Sequence, residues 1–424
     1  MPSFSIRTTL GLVIGVLGLL LVALSVVSLT AAIERNEAAR KVATLAPISQ
    51  AFFNSLQQHR LERGNILIAM RADAAASKDT VEGIDNQREA TKTGYATGVS
   101  KLSALTDLPG TAPVLARLKA AHEAVEAMRG KMMAQIGLPK AQREAPIAAE
   151  WAKTTQAYLD AVQGASDFLE TSLQLVDPVV DQLLSVKQNA WTIRNYAGSL
   201  VLRILTTMSA GQSWGKPEIM AHAEDAGRTA TAWAIVTGIA AREDTPAPVR
   251  EVVNTARAFF TGPIGEERQA IVNAFSNGQE SPVPQSKYQP AVVENLNMLN
   301  AIANTALDEL IRRADNQQGI AQRSLVLNGA MLMAAVVFTV FGFLIVQWRV
   351  SGPIQRMTLS MKQLAAGDLS VAVPYVDRGA EIGEMAGAVQ VFKDSMIARE
   401  QAEAEISQQR EDSEKRRQER EARE

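Results

Sequence analysis

Two stretches, Thr8–Ile33 and Ser324–Trp348, contain no charged residue. Each is long enough to cross about 30 Å of hydrocarbon as a helix. In lipid every backbone N–H and C=O must be satisfied within the segment itself, so a helix is the form such a stretch takes. Two spans put both termini on one side and residues 34–323 on the other. The first apolar core is too long for a cleaved leader and lacks a small-x-small exit. Gly11 and Gly15 have GxxxG spacing, which lets a second helix approach closely. Trp348-Arg349 anchors the end of the second span at an interface. Arg7, Arg349 and Arg356 argue that the termini are cytoplasmic, against Arg35, Arg40 and Lys41 on the other side.

Between the spans, breaks fall near Ser77-Lys78-Asp79, Pro109-Gly110, Gly137-Leu138-Pro139, Gly215-Lys216-Pro217, Pro246-Ala247-Pro248 and Pro282–Pro284. No stretch alternates like a strand, and aromatics make up only 5% of the chain. The expectation is an all-α protein with eight helices in this region. An internal repeat orders them. Arg60-x-x-x-Gly64 aligns with Arg194-x-x-x-Gly198, Ala112-Pro113-Val114 with Ala247-Pro248-Val249, and Trp151 and Leu159 with Tyr288 and Leu296. The spacing predicts tandem four-helix bundles, 34–175 and 176–323, each connected up-down-up-down.

The repeated Arg-x-x-x-Gly is the candidate ligand site. Residues four apart share a helix face, so each arginine lies beside its glycine. A glycine inside a helix costs roughly 1 kcal/mol relative to alanine, and the return is room, for a helix crossing or for a small ligand. Arg63 and Arg203 add charge on the same two helices. Guanidinium grips planar anions with two parallel N–H bonds, so Arg60, Arg63, Arg194 and Arg203 are read as binding nitrate, a dicarboxylate or an amino acid. The competing reading pairs Arg60 and Arg194 with carboxylates such as Glu62 or Asp181. Gln57-Gln58 followed by Leu61-Glu62-Arg63-Gly64 resembles the leading motif of the nitrate- and nitrite-sensing helical domain, although His59-Arg60 interrupts the usual spacing. That resemblance implies two four-helix bundles and arginines that hold the anion.

Behind the second span, Ile354, Met357, Met361 and Leu364 form a heptad seam. Gly367-Asp368-Leu369 ends that helix, and Val371, Val373 and Pro374 lie in an extended connector. Glu381-Ile382-Gly383-Glu384 opens a second helix whose seam is Ile382, Met385, Val389, Phe392 and Met396. Two short seams cannot bury themselves within one chain, which predicts a parallel four-helix coiled coil shared by two copies. Pro353 is read at the first turn of a new helix. These residues resemble a HAMP domain, here 349–400, the signal relay of bacterial transmembrane receptors. The resemblance makes Pro353, Gly367, Leu369, Glu381, Ile382 and Gly383 relay residues.

Val391-Phe392-Lys393-Asp394 is similar to the junction in methyl-accepting chemotaxis receptors, whose long signalling coiled coil does not follow. The expectation is a receptor truncated before that part, or one that relays to a separate cytoplasmic partner. Residues 401–424 read as a charged helical tail, with Glu411, Lys415, Glu419 and Arg423 spaced by four. No histidine follows His222 and no Gly-rich phosphate loop or cyclase-like motif is present, so no enzyme is expected. His59, His122 and His222 lack metal-ligand spacing and are read as solvated helix positions. Trp191, Trp214 and Trp233 are assigned to the bundle core. There is no cysteine, and no metal or cofactor is expected. The 43 Lys and Arg against 45 Asp and Glu give no basic surplus for nucleic acid.

The chain therefore reads as a two-pass inner-membrane receptor with residues 1–7 cytoplasmic and 34–323 periplasmic. Its expected partners are a second copy, membrane lipid, a small anion and a cytoplasmic signalling protein. The alternatives are the sensor portion of a histidine kinase or nucleotide cyclase lacking its catalytic domain, and a membrane scaffold without signalling.

Overall fold

The computed structural model describes residues 6–174 and 176–421. Residues 1–5, the Arg7 side chain, Leu175 at the expected border of the repeats, and Arg423 of the charged tail series lie outside the described residues. The described residues form helices and no strand. They divide into two compact units, Glu34–Gln322 and Met1–Ile33 with Arg323–Glu424. Two long helices, α1 (Ile6–Arg71) and α10 (Gln285–Ile345), contribute to both units.

The unit Glu34–Gln322 has α2 (Lys78–Ser103), α3 (Thr111–Ile136) and α4 (Ala145–Leu173) around the second half of α1. It then has α5 (Pro178–Ala210), α6 (Lys216–Ala240), α7 (Ala247–Ala256), α8 (Ala258–Thr261) and α9 (Pro263–Ser276) with the first half of α10. Local chemistry sets the ends. Ser77 caps α2 by accepting the Thr80 N–H at 3.2 Å, and Asp177 caps α5 by accepting those of Val179 and Val180. Gly110 precedes α3 with φ 89°, a conformation that favours glycine. The stretch aligned with α3 in the second repeat is interrupted at Arg257 and Gly262, giving three pieces instead of one helix. Pro263 supplies no N–H, and a Cβ at Gly262 would sit 2.8 Å from the Ala258 carbonyl oxygen.

The repeat markers occupy matching places. Trp151 and Tyr288 are both fully buried near the starts of α4 and α10, and Pro113 and Pro248 both lie in first turns. Helices α1 and α5 run parallel and in register. The Arg60 guanidinium donates to the Asn195 carbonyl at 3.0 Å and that of Arg71 to the Thr206 hydroxyl at 3.1 Å, both across a separation of 135 residues. Positions equivalent in the repeat therefore face each other along this seam.

A buried polar cluster ties α1, α4 and α5 together. Lys187 forms an ion pair with Glu170 and donates to the Ser166 hydroxyl at 2.8 Å. Gln188 donates to the other Glu170 oxygen at 2.8 Å, and the Ser49 hydroxyl to the carboxylate at 3.2 Å. Lys187, Glu170, Ser166 and Ser49 are all buried. Burying both ions is costly, and the pair holds because its remaining hydrogen-bond positions are filled.

In the other unit, the spanning part of α1 shows one sheltered face, Gly11, Ile14, Gly18, Val22, Ser25, Leu29 and Ala32. The spanning part of α10 shows another, with Leu325, Asn328, Leu332, Ala335 and Thr339. Both are long and apolar enough to cross a membrane. The close helix approach is at Gly18, where a Cβ would meet Thr339 Cγ2 at 2.2 Å. Gly15 of the GxxxG pair has nothing within 4 Å, so within one chain the close approach falls at Gly18 and not at Gly15.

Removing one partner of a buried ion pair typically costs about 3–5 kcal/mol. Lys187→Met is therefore expected to lower the stability of the full chain by that order in equilibrium urea unfolding followed by tryptophan fluorescence. A loss below about 1 kcal/mol would show that Glu170 finds solvent and that the cluster does not hold the three helices.

Candidate functional site

The seam between α1 and α5 brings Arg60 and Arg194 together. Arg194 is 8% exposed, and its Nε is buried with no hydrogen-bond partner. Arg60 lies over the Trp191 ring, 5.7 Å from its centroid. Burial pulls Arg60 down to about 9, with the like charges of Arg194 and Arg63 adding to it. Burial pulls Arg194 down to about 10. Among the described residues neither guanidinium has a carboxylate in salt-bridge reach. The glycine of the second motif makes room for these groups. A Cβ at Gly198 would stand 2.7 Å from Arg194 Nη1 and 3.5 Å from Arg60 Nη2. Gly64 has open space around it.

Glu62, the nearest candidate counter-ion in the chain, is engaged elsewhere. It accepts from Arg129 Nε at 2.5 Å and Nη2 at 2.9 Å, and its Oε2 lies 3.1 Å from His59 Nδ1. Burial works to raise the Glu62 carboxyl, and its bonds to His59 and Arg129 outweigh this and hold it low. Arg129 also pairs with Glu126, which accepts from Arg88 at 3.1 Å. The network spans α1, α2 and α3.

The other two arginines assigned from sequence lie apart from the pair in their bonding. Arg63 donates to the Gln156 side-chain oxygen on α4 at 2.7 Å. Arg203 forms an ion pair with Asp225 on α6 at 2.9 Å. Sequence reasoning assigns Trp191 to the bundle core, with an aromatic ligand cage as the lesser alternative, and it misses Arg129 and Lys187. Both pair with carboxylates on other helices, Arg129 with Glu62 and Lys187 with Glu170, and only the Arg129–Glu126 pair, three residues apart on α3, has a local spacing.

His59 is not solvated, and His122 and His222 are half-buried. His59 is fully buried against Tyr158, with ring centroids 4.6 Å apart. His122 stacks on Tyr95 at 3.8 Å, and His222 packs against Trp214 at 4.9 Å. Amphipathic helices with alanine-rich faces leave room for an imidazole inside, and each ring finds an aromatic neighbour there.

The segment around Pro353 is a second candidate site. Helix α10 does not stop before Pro353. A π-helical turn, Val346–Ser351, leads straight into α11 (Gly352–Ala365), and the Gly352 N–H bonds to the Gln347 carbonyl. Pro353 stands in the first turn of α11, as expected, but no break in the helical backbone precedes it. A proline inside an α-helix presses its ring on the carbonyl four residues back, and a widened turn accommodates it. Gly367 ends α11 with φ 92°, and Leu369 is half-buried just beyond. Tyr375 and Ala380 also have positive φ, an uncommon state for residues with a Cβ. Helix α12 (Ala380–Glu421) starts with Glu381 in its first turn, where a negative charge suits the helix dipole. Gly383 admits nothing larger, because a Cβ would fall 1.5 Å from the Arg378 carbonyl oxygen. Ile382 is half-buried, whereas Met361, Met385 and Phe392 of the seams are 40%, 48% and 45% exposed.

Burial depresses all three histidines below their ordinary value of 6.5. For His59 the facing groups are Glu62, which opposes the shift, and Arg129 and Arg63, which add to it. Between the lowered and ordinary values the unfolded chain binds more protons, so stability falls as pH drops below about 6.5. Urea midpoints are expected to decline from pH 8 to pH 5, with a shallower decline in His59→Gln. A midpoint that does not move, or rises on acidification, would contradict the buried neutral imidazoles.

Comparison with known proteins adds the family of the relay. Residues 345–398 match the HAMP domain. A stretch of 54 residues is 52% identical to "Probable chemoreceptor y4sI" of Sinorhizobium fredii, covering 13% of this chain and 7% of that protein. The matched stretch is thus a small fraction of that relative's length. No solved structure matches the chain. The chain is an all-α protein with two candidate membrane helices and a HAMP domain, the equipment of transmembrane signal transduction.

Proposed function

We propose that the chain is a two-pass inner-membrane receptor that senses a small anion outside the cytoplasm and relays the event through its HAMP domain. The reading rests on one observation above the rest, the Arg60–Arg194 pair without a carboxylate. Guanidinium stays protonated in proteins even when its pKa is depressed. A charge that cannot be shed and has no carboxylate partner is served by a counter-ion from outside, and a planar anion such as nitrate meets two guanidiniums with directed hydrogen bonds.

Residues 34–323 form the periplasmic sensor, as tandem bundles 34–175 and 176–323, and both termini are cytoplasmic. The exposed Met361, Met385 and Phe392 support a homodimer, because a second copy covers apolar seams that one chain leaves open. The output goes to a cytoplasmic partner, as the chemoreceptor likeness of the HAMP stretch supports. Anion binding favours one of two packings of the α1–α5 seam, and the shift in that balance is the signal.

Calorimetry on the full chain in lipid nanodiscs, titrated with nitrate, nitrite and dicarboxylates, tests this. One of these anions is expected to bind, with affinity reduced about tenfold or more in Arg60→Ala and in Arg194→Ala. Binding retained in both variants would remove the site, and no binding of any of them would remove the anion reading.

A further inference from the structure

Helix α5 runs beside α1 as its repeat counterpart, yet the two differ in what they are joined to. Helix α1 is a single helix from Ile6 to Arg71, so one rod carries both the first span and its side of the seam. Helix α5 begins at Pro178, behind its N-cap Asp177, and has no span of its own. Arg194 sits on α5. A change in how α5 packs on α1 therefore reaches the second span only through a bond to α10, the helix that continues into it.

Such a bond lies at the start of α5. Asp177 Oδ1 accepts the N–H groups of Val179 at 2.8 Å and Val180 at 3.2 Å, which fixes the carboxylate to the end of the helix. The same oxygen accepts from Arg313 Nε at 3.2 Å, and Oδ2 accepts from Arg313 Nη2 at 2.9 Å and from Gln317 Nε2 at 2.8 Å. Arg313 and Gln317 are four apart on α10 and share a face. The guanidinium meets the carboxylate through two parallel bonds, which fix orientation as well as distance. Both groups are half-buried, so water weakens the pair less than it would at an open surface. A second tie holds α10 to α1, where Gln50 donates to Asp308 at 2.6 Å. One short stretch of α10 is thus bonded to both helices of the seam.

We infer that Asp177, through Arg313 and Gln317, is the link by which α5 acts on α10, so that a shift of α5 against α1 is delivered to the second span. A carboxylate that only capped α5 would need no partner on another helix. One group in both roles makes the start of α5 and the helix entering the membrane move together. Because α10 is also tied to α1 at Asp308, a displacement between α1 and α5 strains one of the two ties unless α10 moves. The inference rests on the anion reading only for what drives the seam, and the link itself is independent of the driver.

The test uses the full chain in lipid nanodiscs, with spin labels at Leu12→Cys in α1 and Leu359→Cys in α11, both exposed positions. Dilution with unlabelled chain confines the distances to a single chain. Asparagine caps a helix as well as aspartate does, so Asp177→Asn keeps the start of α5 and removes the charge that holds Arg313. Arg313→Met keeps the cap and removes the same pair from the other side. Without ligand, both variants are expected to broaden the distance distribution, because α10 is released from α5. Arg313→Lys, which retains charge without the planar fork, should broaden it less. Lys287→Met, which removes the pair between α10 and Glu267 instead, should leave it unchanged. With nitrate, calorimetry should still show binding to Asp177→Asn and Arg313→Met, while the shift in distance seen in the unaltered chain should be lost. Thermal unfolding as cooperative as that of the unaltered chain separates release of the link from loss of the fold. Ligand-free distributions identical to that of the unaltered chain, equal broadening by Lys287→Met, or a nitrate-driven shift that persists in both variants would each overturn the inference. Failure of nitrate to bind would count against the anion reading alone, since the ligand-free comparison still decides the link.

Discussion

Two guanidiniums, those of Arg60 and Arg194, meet in the α1–α5 seam with no acid to pair them. Arg194 is buried and Arg60 half-buried; withdrawing such charges from water without an acid is costly, and arginine cannot escape by losing its proton. Other buried ions of this unit are paired: Glu62 with Arg129, Glu170 with Lys187. Asp177, which burial would raise, is held at about 2 by Arg313, Gln317 and the N–H groups of Val179 and Val180. Against that background Arg60 and Arg194 stand out.

The repeat explains how they come to meet. Two copies of one helical pattern packed parallel and in register bring each residue opposite its own counterpart, as in an isologous interface. A single arginine per repeat becomes a pair on the axis. The same geometry applies at Gly198, which is small because the guanidiniums fill its space. It applies less strictly to the remainder. Glu62 is buried and ion-paired, while Tyr196, its counterpart in the second repeat, is bonded to Arg228 at an exposed position.

Much of this is legible in the sequence, and the exceptions have physical reasons. The breaks at Ser77, Gly110, Gly137, Gly215 and Pro246 are local, because caps and left-handed turns depend on few residues. The charge-free spans and the heptad seams are equally local patterns. The pairs of Arg129 with Glu62 and of Lys187 with Glu170 are not, since they are fixed by how separate helices pack. The π turn before Pro353 leaves no local mark, because proline reads in sequence as a helix start, and only the continuity of α10 into α11 shows the other solution. A histidine on a helix reads as a position facing water, whereas an aromatic neighbour from another helix makes an interior place for it. The Arg203 assignment picks the right helix and a residue whose partner, Asp225, comes from α6.

The relay has features suited to two packings. Positive φ at Tyr375 and Ala380, a glycine at 383 pressed on the Arg378 carbonyl, and a π turn where the span meets α11 are each strained or widened relative to regular helix. In the proposed receptor these are the places where motion is absorbed. The central claim is that occupancy of the arginine pair changes the relay, and the absence of native cysteine allows a direct test. A spin label at Phe392→Cys, measured by pulsed electron resonance between the two copies in nanodiscs, should show a changed distance distribution when nitrate is added, and no change in Arg194→Ala. An identical distribution with and without nitrate, under conditions where nitrate is bound, would contradict the account.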